Sequence, residues 1–413
     1  MNYYFTSEAV SMGHPDKVAD QISDAILDEA LRQDRESHVA CETLVTTGQV
    51  VVAGEMTTEA YIDIPDVVRK TIVGIGYDKG EYLFDGNSCG IFTAVHEQSP
   101  DINQGVVRAT PEEQGAGDQG MVFGYAIKDG INYMPIEIML SRIILDELTF
   151  MRQGNAAYKW LRPDAKAQVT VEYDEATHKP VKVDTILVST QHDPDIDNET
   201  IKNTVSYAIQ HVWKNLSFLK PTSHIAELLY GDLGAPKFKL MVNPTGRFVI
   251  GGPAGDTGLT GRKIVVDTYG GHCPHGGGAF SGKDPSKVDR SAAYFARYIA
   301  KNLVAAGVCD ECTIQIAYAI GKAQPVSVFV DTHNTNHTRF SDSEIADVLK
   351  NNVDFTPHGI ITQLGLKNPI YLATAKYGHF GHESYYNGDY DCIMYPWESL
   401  EKIDAMQEWF EVK

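Results

Sequence analysis

The chain repeats one order of secondary structure three times: an amphipathic helix, a pair of β-rich segments and a second helix. In the first copy, Val18, Ile22, Ile26 and Ala30 recur every fourth residue, which is typical of a helix with one buried face. The copies begin more than 100 residues apart, a spacing that is too long for a solenoid and suits whole domains. The predicted elements are helix 16–33, strands 39–46 and 49–57 and helix 65–76; helix 135–152, strands 168–174 and 182–190 and helix 195–214; and helix 286–306, strands 312–320 and 325–331 and helix 341–352.

Each hairpin can bury one face under its two helices, so each copy predicts a two-layer domain rather than a doubly wound parallel sheet. The predicted fold class is α+β, with three similar two-layer domains, helices packed on mixed or antiparallel sheets, related by pseudo-threefold symmetry. The length agrees, because 413 residues at about 150 per domain give roughly three domains. The expected division is an N-terminal domain at 1–101, a mobile connector at 102–120, a central domain at 121–236 and a C-terminal domain at 237–413 with an atypical insertion at 384–395.

Composition excludes several classes of protein. Lys and Arg number 35 against 55 Asp and Glu, and the formal charge of −20 argues against nucleic acid or an anionic membrane as the main partner. No window approaches 18 uninterrupted apolar residues, and the first residues lack the basic and apolar regions of a signal peptide. Six cysteines without a disulfide-scaffold spacing favour a reducing cytoplasm; Cys309 and Cys312 lack the second pair that zinc needs and are interpreted as two thiols at the start of a strand.

One region departs from the acidic balance. Residues 241–300 hold 12 of the 36 glycines and carry seven basic against four acidic side chains, a local charge of +3. Small residues let backbone N–H groups approach a phosphate closely, and each charge-assisted hydrogen bond contributes about 1.5–3 kcal/mol. This segment therefore favours a compact polyanion, and a triphosphate better than a monophosphate.

The start of the first helix has the features of an anion site. Pro15 suits the first helical position, which places His14 near the N-cap and directs free N–H groups and the positive end of the helix dipole at whatever precedes it. Asp16, Asp20 and Asp24 recur every fourth residue on one face. Two interpretations stay open: these carboxylates hold a hydrated Mg²⁺ against a phosphate, or they form a solvated acidic face.

The glycine-rich segment 276–284 comes close to a phosphate-binding loop. Gly277, Gly282 and Lys283 fit the pattern, but Asp284 stands where a Ser or Thr should coordinate magnesium, and no clear strand precedes the segment. If Pro285 starts a helix, Lys283 and Lys287 lie one helical turn apart on it. The cations therefore point to phosphate binding without a true P-loop.

The connector from Gln98 to Gly120 is poor in apolar residues and rich in Gly, Gln and Pro. A loop of this length is either a mobile functional lid or a disordered linker.

Several further acidic residues stand where a solvated surface role is hard to assign, at the ends of β-rich runs, among glycines or beside the basic segment. These are Glu42, Glu55, Asp118, Asp256 and Asp289.

Four ordered segments resemble the S-adenosylmethionine synthetase family, in its bacterial form. They are GHPDK at 13–17, GAGDQG at 115–120, NPTGRFVIGGP at 243–253 and GGGAFSGKDPSKVDR at 276–290. The resemblance extends from about Phe5 to Phe380. It implies three similar α+β domains, in agreement with the repeated pattern.

The resemblance also implies an activity. In that family ATP and L-methionine combine by in-line attack of the methionine sulfur on the ribose 5′ carbon, and the triphosphate that leaves is cleaved to pyrophosphate and phosphate. The cofactors it implies are two Mg²⁺ ions per active site and K⁺. It further implies a cytoplasmic homotetramer, built as a dimer of dimers with active sites between subunits, and no nucleic-acid or membrane partner.

Site residues carry over position by position. The implied catalytic residues, which contact the triphosphate or its developing charge, are His14, Lys166, Arg262, Lys263, Lys283 and Lys287. The implied ATP contacts are His14, Asp164, Lys166, Arg247, Phe248, Asp256, Arg262, Lys263, Ala279 and Lys283. The implied methionine contacts are Glu55, Gln98, Asp118, Asp256 and Lys287. The resemblance makes Asp16 and Asp289 magnesium ligands, Glu42 a potassium ligand and residues 98–108 a mobile lid.

This chemistry agrees with what the sequence lacks. A thioether is a neutral nucleophile that needs no base, so the absence of a Ser, Cys or His dyad is expected. Two other functions remain as alternatives: a P-loop-like phosphotransferase that leaves ADP, and a non-catalytic ATP sensor.

Overall fold

The computed structural model describes residues 2–98, 110, 113–218, 223–230 and 236–412. Its strands are β1 (Asn2–Val10), β2 (His38–Thr46), β3 (Gln49–Thr57), β4 (Gly90–His96), β5 (Gly120–Ile127), β6 (Leu161–Asp174), β7 (Pro180–His192), β8 (Lys239–Val242), β9 (Gly258–Leu259), β10 (Glu311–Tyr318), β11 (Ser327–Asp331), β12 (Tyr385–Asn387) and β13 (Cys392–Met394). Its α-helices are α1 (Pro15–Gln33), α2 (Ile64–Ile75), α3 (Ile136–Gly154), α4 (Asn198–Phe218), α5 (Ser223–Leu229), α6 (Ile264–Asp267), α7 (Val288–Ala305), α8 (Asp342–Asn352), α9 (Pro357–Leu364) and α10 (Ile403–Trp409).

The repeated pattern is confirmed. Strands β2 and β3, β6 and β7, and β10 and β11 form three antiparallel hairpins, each preceded by one long helix and followed by another. Strand β4 extends the first sheet parallel to β3, and β8 extends the second parallel to β7. The fold class is therefore α+β with mixed sheets, as predicted.

Each sheet also takes one strand from another part of the chain. Strand β1, before α1, pairs antiparallel with β6 of the second sheet; β5, before α3, pairs with β10 of the third; and β9, before α7, pairs with β2 of the first. The exchange therefore runs in a cycle from the first repeat to the second, the third and back to the first. This cycle is the topological form of the predicted pseudo-threefold relation. The three exchanged strands are not among the predicted elements.

The helices cover one face of each sheet. Helix α1 packs on β2 and α2, α3 on β6 and α4, and α7 on β5 and β10. Small residues allow the close approach at α7, since a Cβ added to Gly124 would lie 2.0 Å from the carbonyl carbon of Ala296. Helix α1 is buried on nearly every side because β9 and its neighbouring loops cover the face that the first sheet leaves free.

Two local predictions need correction or refinement. Helix α7 begins at Val288 rather than at Pro285, so Lys283 and Lys287 do not share a helical face. The reason is that Asp284 accepts hydrogen bonds from the N–H groups of Val39 and Ser286, which hold the segment beside β2, and the N–H of Lys287 bonds to the Asp284 carbonyl in a turn before the helix. In the insertion, β12 and β13 pair as a short antiparallel hairpin.

In the described parts of the chain, no helix combines the length and the hydropathy needed to cross a membrane. All six cysteines are free and buried, and Cys309 and Cys312 flank the first residue of β10, as predicted.

Candidate active site

The N-terminus of α1 is built as the sequence predicts. His14 is the N-cap, Pro15 is the first helical residue, and Nδ1 of His14 accepts a hydrogen bond from the N–H of Asp16 at 3.2 Å. A backbone N–H can only donate, so Nδ1 is unprotonated and the ring proton of the neutral imidazole lies on Nε2. Burial, together with the nearby charges of Lys263 and Lys166, lowers the pKa of His14 to about 3. His14 is therefore a neutral donor through Nε2.

Asp16 joins this helix start to the basic segment. Its Oδ1 accepts the N–H of Leu259 at 3.0 Å, and its Oδ2 lies 2.5 Å from Nζ of Lys263. Nε of Arg262 lies 3.9 Å from Oδ1 of the same carboxylate, and half of the Arg262 side chain remains exposed. Burial raises the pKa of Asp16, but the hydrogen bonds from Lys263 and Leu259 outweigh it and leave that pKa below its usual value.

A second group lies where β6 begins. Asp164 is buried, its Oδ2 accepts the N–H of Gly252 at 2.8 Å, and its Oδ1 has no hydrogen-bond partner within the described ranges. Burial raises the pKa of Asp164 to about 6 against the stabilising Gly252 N–H and the charge of Lys166. Lys166 and Asp256 are both exposed, and both act electrostatically on Asp164. The structure thus brings these three predicted residues together.

Arg247 and Phe248 are connected to this group through the glycines that follow them. The N–H of Phe248 donates to Nε2 of His192 at 3.1 Å, which fixes the backbone before Gly251 and Gly252. A Cβ on Gly251 would lie 2.7 Å from the Phe248 ring. The Phe248 side chain is half-buried and that of Arg247 is exposed, so both can meet a ligand.

Lys283 and Asp289 form a further pair, with Nζ of Lys283 at 2.7 Å from Oδ2 of Asp289. The Lys283 backbone is held by β2, because Ala40 and Lys283 form an isolated antiparallel bridge. Asp289 lies against glycine backbone: a Cβ on Gly278 would be 2.3 Å from its carboxyl carbon, and one on Gly120 would be 3.4 Å from its Oδ1. Ala279 packs against Gly261, at 2.5 Å from where its Cβ would stand, so this loop meets the Arg262–Lys263 loop.

Lys287 does not point toward these groups in the protein without ligands, because its Nζ bonds to the buried carboxylate of Asp284.

The remaining predicted residues lie on exposed or half-exposed surface. Glu42 and Glu55 share the face of the first sheet that is turned away from α1, with Nε2 of His96 at 3.9 Å from Oε1 of Glu55. Asp118 is exposed and accepts the N–H of Gln119, and Gln98 is half-buried. Residues 99–108 of the predicted lid lie outside the described residues.

Both interpretations of the α1 carboxylates fail beyond Asp16. Asp20 and Asp24 are fully buried, so they form no solvated face. Asp20 forms an ion pair with Lys17 and accepts the N–H of Gly261. Asp24 forms an ion pair with Arg290 and accepts the N–H of Gly282. Both carboxylates are therefore occupied by protein partners and are not available to hold a magnesium ion. The i, i+4 spacing of these residues is apparent in the sequence, but their burial is not, because the loops that cover them lie more than 200 residues away in the chain.

The donor set at Asp16 and Asp289 suits Mg²⁺. Mg²⁺ prefers oxygen ligands, keeps several waters and is commonly held by one or two carboxylates together with substrate phosphates. Each of these carboxylates is paired with one lysine of the basic segment. In the described part of the chain, no group of three or more His, Cys, Asp or Glu side chains is gathered as a complete metal site, so any such ion would need substrate oxygens as further ligands.

The 276–284 segment does not have the context of a P-loop. It follows turns rather than a strand, and it runs along β2 before α7 begins. The structure therefore does not favour the phosphotransferase alternative.

Three domain families match successive parts of the chain: the N-terminal domain of S-adenosylmethionine synthetase over residues 2–100, its central domain over 113–248 and its C-terminal domain over 250–397. A Bacteroides thetaiotaomicron protein named S-adenosylmethionine synthase is 53% identical over 430 aligned positions, which cover 99% of this chain and 100% of that protein. A Cytophaga hutchinsonii protein of the same name is 52% identical and covers 100% of both. A Porphyromonas gingivalis protein of that name is 55% identical over 93% of this chain and 91% of its own length.

Proposed function

The chain belongs to the S-adenosylmethionine synthetase family and is a methionine adenosyltransferase, and we propose that the cations and carboxylates gathered around α1 form its catalytic site. The reaction joins the methionine sulfur to the ribose 5′ carbon of ATP, releases triphosphate and cleaves it to pyrophosphate and phosphate. The observation that carries the site is the pairing of two lysines from the basic segment with two carboxylates: Lys263 with Asp16, beside the neutral His14, and Lys283 with Asp289.

The chain's own groups would act on the leaving triphosphate. Lys263, Lys283, Arg262 and Lys166 supply fixed positive charge as the carbon–oxygen bond breaks, and such preorganised electrostatics is commonly the largest catalytic contribution. The Nε2–H of His14 would donate to an oxygen of the leaving group without transferring a proton. Lys287 would have to release the carboxylate of Asp284 before its ammonium could bind a charged group of the substrate.

ATP would be oriented by the group around Asp164. The free Oδ1 of Asp164 is a buried acceptor without a protein partner within the described ranges, which suits a ligand hydroxyl or amino group. Phe248 offers an aromatic face for the adenine, and Arg247, Asp256 and Ala279 complete this proposed ATP set. For methionine we propose Glu55, Gln98, Asp118, Asp256 and Lys287.

Two Mg²⁺ ions and K⁺ are the proposed cofactors. Asp16 and Asp289 would hold Mg²⁺ and Glu42 would hold K⁺; when bound, these cations neutralise phosphate charge and fix the path of the triphosphate. Each of the two carboxylates is paired with a lysine when no metal is bound. The protein itself would contribute the carboxylate oxygens that bind these cations.

We also propose a cytoplasmic homotetramer, a dimer of dimers with active sites between subunits, and we retain the division at 1–101, 102–120, 121–236 and 237–413. The outward sheet faces support the assembly, because they expose large apolar side chains: Phe92 at 57%, Met121 at 48% and Phe329 at 53%. Lys166 and Glu42 lie on outward faces too, where a second subunit could complete their surroundings. Light scattering would give the mass, and a tetramer is expected.

Product analysis tests the function. The protein is incubated with ATP, L-methionine, Mg²⁺ and K⁺, and the products are identified by mass spectrometry and phosphate release. S-adenosylmethionine, pyrophosphate and phosphate are expected in equal amounts. ADP would instead indicate phosphotransfer, and unchanged ATP a nucleotide sensor.

A further inference from the structure

Four carboxylates on one face of α1 hold loops that lie far along the chain. They stand four residues apart, and each accepts at least one backbone N–H group. The contacts of this acidic ladder are Asp16 with Leu259 at 3.0 Å, Asp20 with Gly261 at 2.8 Å, Asp24 with Gly282 at 2.8 Å, and Asp28 with Tyr371 and Leu372 at 2.9 and 2.8 Å.

Asp20 holds the loop of the first pair of cations. Its Oδ1 accepts the N–H of Gly261, the residue directly before Arg262 and Lys263, and its Oδ2 lies 2.9 Å from Nζ of Lys17. Its side chain has no exposed surface. The carboxylate thus fixes the peptide that leads into the Arg262–Lys263 pair.

Asp24 holds two elements of the second cluster at once. Oδ1 accepts the N–H of Gly282, directly before Lys283, and also a hydrogen bond from Nη1 of Arg290 at 2.7 Å, while Oδ2 accepts from Nη2 of Arg290 at 2.9 Å. Arg290 directly follows Asp289 in the chain. One carboxylate therefore ties the backbone directly before Lys283 to the side chain of the residue directly after Asp289.

The helix sets the distance between these two attachments. Four residues of α-helix rise about 6 Å, so the Gly261 and Gly282 peptides are fixed about one turn apart on a rigid rod that also carries His14 and Asp16 at its end. A buried carboxylate carries a desolvation cost, which the loops' N–H groups, Lys17 and Arg290 offset. Apolar side chains could fill the same space without that cost, so the acceptor oxygens need a reason beyond packing.

We propose that Asp20 and Asp24 are positioning residues for adenosyl transfer, which fix the Arg262–Lys263 and Lys283–Asp289 groups relative to each other and to His14. The proposal rests on the proposed catalytic roles of those cations. Misplacement of a catalytic group by about 1 Å can cost about 100-fold in rate. Loss of either carboxylate therefore slows the chemical step itself.

The single-turnover rate constant for S-adenosylmethionine formation tests this role. Enzyme is used well above both the ATP concentration and the dissociation constant for ATP, with saturating methionine. ATP then limits the amplitude, so a modest unfolded fraction leaves both the amplitude and the rate constant unchanged. The variants are Asp20→Ala, which removes the acceptor, and Asp20→Asn, which retains an oxygen for the Gly261 N–H. Burial raises the pKa of Asp20 to about 7 against the pull of Lys17, so a neutral side chain is compatible with this position. The matched control is Asp28→Ala, on the same helix face, whose loop holds no proposed site residue.

We expect Asp20→Ala to lower the rate constant about 10- to 100-fold, Asp20→Asn to recover most of it and Asp28→Ala to stay within about twofold of the parent. Asp24→Ala should behave like Asp20→Ala. If Asp20→Ala does not fold, Asp20→Ser replaces it, since a serine hydroxyl is too short to reach Gly261 but leaves a polar site. A rate constant for Asp20→Ala or Asp20→Ser within twofold of the parent overturns the proposal while parent turnover continues; failure of the parent to form product would instead refute the proposed function.

Discussion

The ammonium of Lys263 lies 2.5 Å from Oδ2 of Asp16, so a proposed phosphate-binding cation and a proposed metal ligand neutralise each other in the protein without ligands. The same relation holds between Lys283 and Asp289. In the proposed function, triphosphate and metal ions would replace these internal partners. Such an exchange would account for how a chain of charge −20 holds a compact polyanion, because the positive charge is local and already paired.

Asp16→Asn should raise the Mg²⁺ concentration needed for half-maximal activity. A carboxamide offers one neutral oxygen in place of a charged carboxylate, and loss of a metal-site interaction commonly costs about 10- to 100-fold in affinity. The measurement is a Mg²⁺ titration of initial rates at saturating substrates. Asp66→Asn is the control, because it breaks a surface Asp–Lys pair on α2. An unchanged Mg²⁺ midpoint in Asp16→Asn would contradict the metal assignment.

Lys283→Ala should lower the rate of adenosyl transfer far more than it weakens methionine binding. Removal of one preorganised group that stabilises developing charge costs about 100- to 1000-fold in rate, whereas methionine carries no phosphate for this lysine to hold. Single-turnover kinetics gives the rate and calorimetry gives the methionine affinity. Lys350→Ala, at an exposed Lys–Asp pair on α8, is the control. An unchanged single-turnover rate constant in Lys283→Ala would contradict the catalytic role assigned to this residue.

Local patterns were sufficient to predict most of the repeated core. Helix α1 and strands β2 and β3 match their predicted bounds within one residue, because periodicity and turn residues act over short stretches of chain. Strands β1, β5 and β9 were missed for the opposite reason. Their partners lie more than 150 residues away, so no hairpin pattern marks them, and β9 in addition has only two residues.

The site was predicted unevenly for the same physical reason. The His14 N-cap depends on its neighbours and was confirmed. Helix α7 was predicted, but the start considered at Pro285 is wrong because Asp284 bonds to Val39, a contact that sequence spacing does not reveal. The burial of Asp20 and Asp24 likewise depends on distant loops. Motif resemblance supplied residue types, whereas only the fold shows which carboxylates are buried and hold loop backbone.

Asp28 should make stability depend on pH. Burial raises its pKa to about 7, against the hydrogen bonds from Leu372 and Tyr371, while the unfolded chain has the ordinary value of about 3.9. Between these values the folded protein binds more protons at this residue, so its contribution to stability is complete below about pH 4 and is lost as the pH rises through about 7, by at most about 1.4 kcal/mol per pH unit. Thermal unfolding of the parent and of Asp28→Asn from pH 4.5 to 7.5 measures this. The melting temperature of the parent should fall relative to the variant as the pH rises, and parallel curves would contradict the prediction.

Alanine substitutions at two glycines of the basic segment distinguish the cost of backbone strain from the cost of a steric clash. Gly277 and Gly282 both have left-handed backbones, with φ of +96° and +81°, so alanine at either position costs about 1 kcal/mol. A Cβ at 277 would meet nothing within 4 Å, whereas one at 282 would lie 1.9 Å from the carbonyl oxygen of Cys41. The clash adds the cost of overpacking, for a total of about 2–4 kcal/mol at Gly282. Denaturant unfolding of Gly277→Ala and Gly282→Ala should therefore give clearly unequal losses, and equal losses would mean that the contact with β2 does not hold this loop. Because the displaced peptide leads directly into Lys283, Gly282→Ala should also slow single-turnover transfer in the protein that remains folded.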